Sequence, residues 1–187
     1  MCVIFEYKEI FKKVTILLLS FFIYKNEYVC ERMRVLLQIV ACVTSNGGIG
    51  KDNDFIVKTD EYFNWLVEEV EGTIVVVGKR TYELGILPEE VYENEYYVIT
   101  EEVEEQLHTL DEQEKDVSVL GGTNVFHEFI EHADVIKCAE IDGYFVADEY
   151  FPEFDLEKYG VKFIGELEKK HGKGVIKEYY RKEDEDV

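Results

Sequence analysis

The chain has 187 residues, of which 47% are hydrophobic and 14% aromatic, with only two prolines. This length and composition predict one globular domain with a packed core, and they exclude intrinsic disorder and collagen-like structure. Forty-one Asp and Glu against 20 Lys and Arg give a net charge of −21. Because this charge repels nucleic-acid phosphates and anionic lipid, we expect neither nucleic acid nor a membrane as a partner.

The first 32 residues differ from the rest in charge. They hold five basic and four acidic side chains, whereas residues 33–187 hold 15 basic and 37 acidic ones. The apolar run from Val14 to Tyr24 is too short for a bilayer core, which needs about 20 residues. It is interpreted as a weak signal or anchor, as an extra packed helix, or as sequence upstream of a true start at Met33. We favour the last, so residues 1–32 are expected to be an N-terminal extension and 33–187 the domain.

From Met33 onward, buried strands alternate with amphipathic helices. The tail predicts an antiparallel hairpin from 161–168 and 175–180. Continuous apolar runs predict strands over 35–43, 73–78, 96–100, 117–120 and 135–141. Helices are predicted from Thr59 to Gly72, from Lys79, over 101–110, and from Gly122 to about His132. This alternation favours an α/β fold with a mostly parallel central sheet and an antiparallel edge.

The four cysteines are Cys2, Cys30, Cys42 and Cys138. They form no CxxC pair and have no histidine at ligand spacing, so neither a metal site nor a disulfide framework is predicted. We therefore expect a protein of a reducing compartment, the cytoplasm.

Glycines stand at two junctions between a buried strand and a helix. Val77-Gly78-Lys79-Arg80-Thr81 places two cations at a helix start, and Leu120-Gly121-Gly122-Thr123-Asn124 places two glycines at another. A helix N-terminus with small residues binds anions, because its first N–H groups lack partners. Either junction alone is also explained as ordinary turn punctuation. The cations Lys79 and Arg80 inside an acidic protein favour a phosphate or pyrophosphate held between the two junctions.

Four motifs, in this order, resemble those of the dihydrofolate reductase superfamily. They are Ser45-Asn-Gly-Gly-Ile-Gly-Lys-Asp-Asn53, Val76-Val-Gly-Lys-Arg-Thr-Tyr-Glu83, Val119-Leu-Gly-Gly-Thr-Asn-Val-Phe126 and Ala147-Asp-Glu-Tyr-Phe-Pro152. The resemblance covers residues 33–187. It implies a three-layer fold, in which flanking helices cover a mostly parallel eight-stranded sheet with an antiparallel C-terminal hairpin. It also implies NADPH across the carboxyl ends of the strands, a pterin in an adjacent cleft, and a mobile loop over 44–59.

The resemblance implies which residues contact NADPH. Lys79 and Arg80 would grip its phosphates, and Gly121-Gly122 would lie beside the pyrophosphate, joined by a cis peptide as is usual in the family. Asn124 stands where an arginine is common. The implied cofactor-binding set is Cys42, Ile49, Gly78, Lys79, Arg80, Thr81, Thr100, Gly121, Gly122, Thr123, Asn124, Val125 and Phe126.

The substrate half departs from the family at its acid. Counting back from Gly78 without gaps matches Trp65 to the family's helix tryptophan and puts Tyr62 where the pterin-binding carboxylate stands. A carboxylate there promotes protonation of the ring nitrogen, which hydride attack requires. A shift of one residue restores Glu61, which is therefore our candidate catalytic acid. The implied substrate-binding set is Val40, Ala41, Phe55, Phe63, Leu66, Leu120 and Ala139.

Two further positions depart from folate binding. Ala139 stands where a threonine usually supports the acid, and Asn94 where an arginine pairs with the folate tail. The first expectation is an NADPH-dependent reductase of 7,8-dihydrofolate, acting as a monomer or homodimer on a small-molecule substrate. The alternatives are a reductase of the ribosylaminopyrimidine intermediate of riboflavin synthesis and a catalytically silent nucleotide-binding module of the same fold.

Overall fold

In the computed structural model of the protein, the described residues are 35–99, 109–110, 115–167 and 174–182. Their strands are β1 (Leu37–Thr44), β2 (Gly48–Lys51), β3 (Asp54–Phe55), β4 (Ile74–Gly78), β5 (Tyr96–Ile99), β6 (Val117–Val119), β7 (Val135–Ile141), β8 (Glu149–Tyr150), β9 (Tyr159–Leu167) and β10 (Gly174–Arg181). The helices are α1 (Asp60–Val70), α2 (Lys79–Leu84) and α3 (Thr123–Phe129), with 3₁₀ turns at Glu89–Glu93 and Leu156–Lys158. None of the described helices is long and apolar enough to cross a membrane.

The central sheet has the strand order β5-β4-β6-β1-β7-β10-β9. Its first five strands pair in parallel, whereas β10 pairs antiparallel with both β7 and β9. The predicted α/β class, with a mostly parallel sheet and an antiparallel C-terminal hairpin, is confirmed. Within the described residues the sheet has seven strands, where the resemblance implied eight.

Helix α1 covers one face of the sheet. Thr59 caps it by accepting a hydrogen bond from the backbone N–H of Tyr62, at 3.1 Å. Trp65 and Leu66 follow Tyr62 at helical spacing, and all three side chains are buried against Val40 and other strand residues. The strand residues that alternate with these, such as Ile39 and Val76, are buried too, so both faces of the central strands are covered.

A second sheet of three short strands, in the order β3-β2-β8, lies beside the first turn of the chain after β1. Its strands β2 and β3 lie within the segment 44–59, which the resemblance implied to be a mobile loop. Asp52 and Asn53 make the β2–β3 turn with positive φ values of 53° and 66°, the geometry of a tight hairpin.

One expectation from the sequence is wrong, and two concern segments largely or wholly outside the described residues. No peptide bond in the described part of the chain is cis, so the expected cis bond between Gly121 and Gly122 is wrong for this structure. The helix predicted over 101–110 falls largely outside the described residues. The extension 1–32 also lies outside them.

Candidate functional site

A cleft of about 640 Å³ opens where β1, β4 and β6 end at their carboxyl sides. Parallel strands end at one edge of a sheet, so the turns after β4 and β6 come together there. The cleft thus joins Lys79 and Arg80, which follow β4, to Gly121 and Gly122, which follow β6. The two junctions singled out in the sequence form one site.

Every implied cofactor-binding residue within the described chain lines this cleft, and only Thr100 falls outside the description. The lining members are Cys42, Ile49, Gly78, Lys79, Arg80, Thr81, Gly121, Gly122, Thr123, Asn124, Val125 and Phe126.

The glycines of the cleft wall leave no room for side chains. A Cβ on Gly121 would stand 2.7 Å from the ring of Phe126, and one on Gly78 would stand 2.9 Å from a methyl carbon of Val125. Gly121 and Gly122 also adopt positive φ values of 33° and 89°, which favour glycine. The packing of Val125 and Phe126 therefore requires glycine at positions 78 and 121.

The β2–β3 hairpin closes one side of the cleft through Arg80. The Arg80 guanidinium donates to the side-chain oxygen of Asn53 at the hairpin tip, and its other terminal nitrogen lies 3.5 Å from Glu149 on β8. The backbone N–H of Asp52 donates to Asp148 at 2.9 Å. Asn53 and Glu149 both line the cleft. Glu149 belongs to the fourth family motif, 147–152, but its approach to Arg80 was not predicted, because the two residues lie far apart along the chain.

Much of the cleft wall is apolar and aromatic. It includes five of the implied substrate-binding residues, and Leu84, Ile86 and Leu87 join them without having been predicted. Burial raises the pKa of the Cys42 thiol to about 12, so that thiol is neutral near pH 7. The five predicted members are Val40, Ala41, Phe55, Leu66 and Leu120.

Two implied substrate-binding residues do not reach the cleft. Phe63 is half-buried and packs its ring against Phe55, with centroids 5.7 Å apart. Ala139 is fully buried on β7, within the core beneath α1. Phe63 and Ala139 therefore pack against residues of the cleft wall and are not part of the wall themselves.

Tyr62, and not Glu61, lines the cleft. The two are successive residues of a helix and so point about 100° apart. Since Tyr62 shares the buried face of α1 with Trp65, Glu61 is turned away and is half-buried outside the cleft wall. The one-residue shift that would bring Glu61 inward is absent, and the gap-free match at Tyr62 is the one the structure contains.

Asn94, at the place of the family's arginine, has a structural role. Its side-chain nitrogen donates to the carbonyl of Val91 at 3.3 Å, and its side-chain oxygen accepts from the N–H of Gly72 at 3.2 Å. It thereby ties the 3₁₀ turn Glu89–Glu93 to the end of α1. Asn94 is not part of the cleft wall.

Comparison with known proteins identifies related chains over the same residues. The family model described as "Dihydrofolate reductase" matches residues 36–181. The dihydrofolate reductase of Ureaplasma parvum is 24% identical over 143 residues, which cover 67% of this chain and 90% of that one. The Haemophilus influenzae enzyme of the same name is 22% identical over 135 residues, covering 67% and 84%.

A solved structure shares the fold. The dihydrofolate reductase from Enterococcus faecalis, complexed with NADP(H) and RAB-propyl, superposes with a TM-score of 0.65 at 22% identity. The match covers 79% of this chain and 97% of that chain. At this identity the likeness concerns the fold.

Proposed function

Because the chain belongs to the dihydrofolate reductase family, we propose that it is an NADPH-dependent reductase that converts 7,8-dihydrofolate to tetrahydrofolate. The observation that carries the proposal is that one cleft is lined by two kinds of residue. Lys79 and Arg80 are suited to phosphates, and Phe55, Tyr62 and Leu66 are suited to a flat ring. A reductase needs both kinds in one cavity, because the cofactor and the substrate must meet.

NADPH fits the glycines and cations of the cleft. Gly78, Gly121 and Gly122 line it without side chains, and Lys79 and Arg80 line it as exposed cations. Phosphates are bound by such pairs of backbone N–H groups and basic side chains. The similarity of this fold to that of the solved Enterococcus faecalis complex with NADP(H) also supports NADPH as the cofactor.

The proposed reaction adds two electrons and two hydrogens to a ring C=N bond. When bound, NADPH would supply the hydride for the ring carbon and would be released as NADP⁺. The π-electron pair would pass to the ring nitrogen, which would take a proton from solvent. The chain's own part is to hold the ring against the apolar wall and to align it with the cofactor.

The presence of Tyr62 at the position of the family's carboxylate favours a second candidate substrate, which the same experiment tests. A reductase of the ribosylaminopyrimidine intermediate of riboflavin synthesis does not need the folate carboxylate, and Tyr62 occupies that position. A cytoplasmic protein acting on a small molecule, as a monomer or homodimer, is part of either proposal. The thiols of Cys42 and Cys138 are free, which suits a reducing compartment.

The test is NADPH consumption by the purified protein with each substrate in turn. We expect oxidation of NADPH with dihydrofolate and formation of an equal amount of tetrahydrofolate. Oxidation only with the ribosylaminopyrimidine would replace dihydrofolate by that substrate. NADPH binding without turnover of either substrate would identify a silent nucleotide-binding module.

A further inference from the structure

A second cavity, of about 280 Å³, lies where β1 and β7 end, and none of its described lining residues belongs to the cleft. Three aromatic side chains line it: Phe151 and Phe154, from the segment that follows β8, and Tyr179 on β10. All three are half-buried. The proposed reduction makes no use of this second cavity.

The three aromatic rings form one continuous wall. The Phe154 ring meets the rings of Phe151 and Tyr179 edge-on, with centroids 6.2 and 5.4 Å apart. The backbone N–H of Phe151 donates to the carbonyl of Gly47 at 2.9 Å, and the Tyr179 hydroxyl donates to the carboxylate of Glu140. These contacts hold the rings in place, so the aromatic wall is preformed. The faces of aromatic rings are electron-rich and attract cations.

The charged side chains in the described lining of the second cavity are two carboxylates, Glu140 and Asp142. Glu140 accepts a hydrogen bond from the Lys177 ammonium at 2.5 Å, so Lys177 balances its charge. Asp142 is exposed, and no described cation pairs with it. One unbalanced carboxylate therefore remains beside the aromatic wall, and it favours a cation over an anion.

The lining suits an organic cation better than a metal ion. A metal such as Ca²⁺ needs six or more oxygen ligands, and the described residues contain no cluster of three or more potential metal ligands. Burial raises the pKa of the Cys138 thiol, which also lines the second cavity, so that thiol stays protonated. An alkylammonium ion needs no set of ligands, because its carbon atoms pack against the rings and its charge is attracted by them.

We propose that the second cavity binds a small organic ammonium ion, held by the rings of Phe151, Phe154 and Tyr179 and by the carboxylate of Asp142. This site is distinct from the cleft. The Phe151 ring packs against Phe126 of the cleft wall, with centroids 5.1 Å apart, so this ring pair stands between the two cavities. The ammonium ion and NADPH are therefore expected to bind at the same time.

The experiment compares choline with 3,3-dimethylbutan-1-ol, an alcohol of the same shape in which a neutral carbon replaces the charged nitrogen. Each is titrated into the full chain by calorimetry at constant ionic strength. We expect choline to bind about tenfold more tightly than the alcohol, or better. Asp142→Asn is expected to weaken choline binding about two- to fivefold, the range of an exposed ion pair. Phe154→Leu keeps an apolar side chain and is expected to weaken choline about two- to fivefold, with little change for the alcohol.

Asp60→Asn is the matched control, since Asp60 is exposed on α1 and lines neither cavity. It is expected to leave choline binding unchanged. Equal losses in Asp60→Asn and Asp142→Asn would indicate attraction to the acidic surface in general and would overturn the inference, as would equal binding of choline and the alcohol. Choline that is displaced by NADPH would lie in the cleft, which also contradicts a second site.

Asp142→Asn changes an exposed side chain, so it decides the outcome if Phe154→Leu does not fold. Choline binding is measured without any reductase substrate. A failure to reduce dihydrofolate would therefore contradict the proposed function and leave the test of the second cavity intact.

Discussion

Arg80 donates a hydrogen bond to the side chain of Asn53, which ties the first turn of α2 to the tip of the β2–β3 hairpin. The same guanidinium faces Glu149. One side chain is therefore positioned both to hold the edge of the cleft and to meet a phosphate. The contact with Asn53 and the proposed contact with a cofactor phosphate can be tested separately by substitution.

Charge reversal at Lys79 or Arg80 tests the phosphate assignment. Lys79→Glu and Arg80→Glu are expected to weaken NADPH binding by about tenfold or more, because each variant loses a charge-assisted contact. The affinity for NADH, which lacks the additional phosphate, is expected to fall less. Titration of both cofactors against each variant measures this.

Two controls accompany that measurement. Asn53→Ala removes the hairpin tie and keeps the cation, and Lys115→Glu reverses a charge paired with Glu95 at 3.0 Å, outside the cleft wall. Lys115→Glu is expected to leave both cofactor affinities unchanged. Equal losses of NADPH and NADH in the Lys79 and Arg80 variants would remove these residues from phosphate recognition.

Gly121 is expected to be intolerant of any side chain. In Gly121→Ala the new Cβ would lie 2.7 Å from the Phe126 ring, and we expect a loss of about 1–3 kcal/mol of unfolding free energy through overpacking. Gly165→Ala is the matched control, since nothing lies within 4 Å of its Cβ position. Urea unfolding of both variants measures the difference, and equal stabilities would contradict the packing described.

The thiol of Cys42 predicts how stability changes in alkaline solution. Burial raises its pKa from 9.0 to about 12, so the folded state favours the protonated thiol. This contribution is complete below pH 9 and is lost as the pH rises toward 12. Between those values we expect unfolding free energy to fall less steeply in Cys42→Ala than in the wild type; identical slopes would show that Cys42 does not contribute.

Net charge predicts a response to salt. Residues 33–187 hold 37 acidic and 15 basic side chains, and their repulsion destabilises the compact state. The Debye length, over which salt screens charges, falls from about 10 Å at 0.1 M to about 3 Å at 1 M salt. The thermal midpoint is expected to rise with KCl over this range, and to rise less in a variant in which the exposed α1 carboxylates Asp60 and Glu68 are changed to Asn and Gln. A midpoint that stays flat or falls would contradict this.

A chain that starts at Met33 is expected to fold and to bind NADPH as the full chain does. The described fold begins at Val35, and β1 takes its partners from β6 and β7. Thermal unfolding and cofactor titration of the shortened protein, beside the full chain, measure this. An insoluble or markedly less stable product would show that residues 1–32 are needed by the domain.

The strands of the central sheet were predictable because their apolar runs are long and continuous. Ile74–Gly78 and Val135–Ile141 agree with the predicted ranges to within a residue. The small sheet was not predicted, because β3 and β8 have two residues each, too few for a recognisable alternation. Its pairing depends on contacts between distant segments, which a local pattern does not contain.

In the candidate site, the glycines and cations that follow strands were predictable from the sequence, and they line the cleft. Glu61 was expected to be the acid because the chemistry of the reaction was given more weight than the helical spacing from Trp65 to Tyr62, and Glu61 does not line the cleft. That spacing places Tyr62 on the buried face of α1 and was sufficient to find it. Glu149 belongs to a family motif, but its approach to Arg80 could not be predicted, because it follows only from the packing of β8 against β2.

The central claim is hydride transfer from NADPH to dihydrofolate, both bound in one cleft. The most direct test uses NADPH deuterated at the transferred position of the nicotinamide, with dihydrofolate and the purified wild-type protein, and follows the label into the product by mass spectrometry. We predict tetrahydrofolate carrying one deuterium per NADPH oxidised. Oxidation of NADPH with no deuterium in tetrahydrofolate, or no reaction despite bound NADPH, would contradict the account.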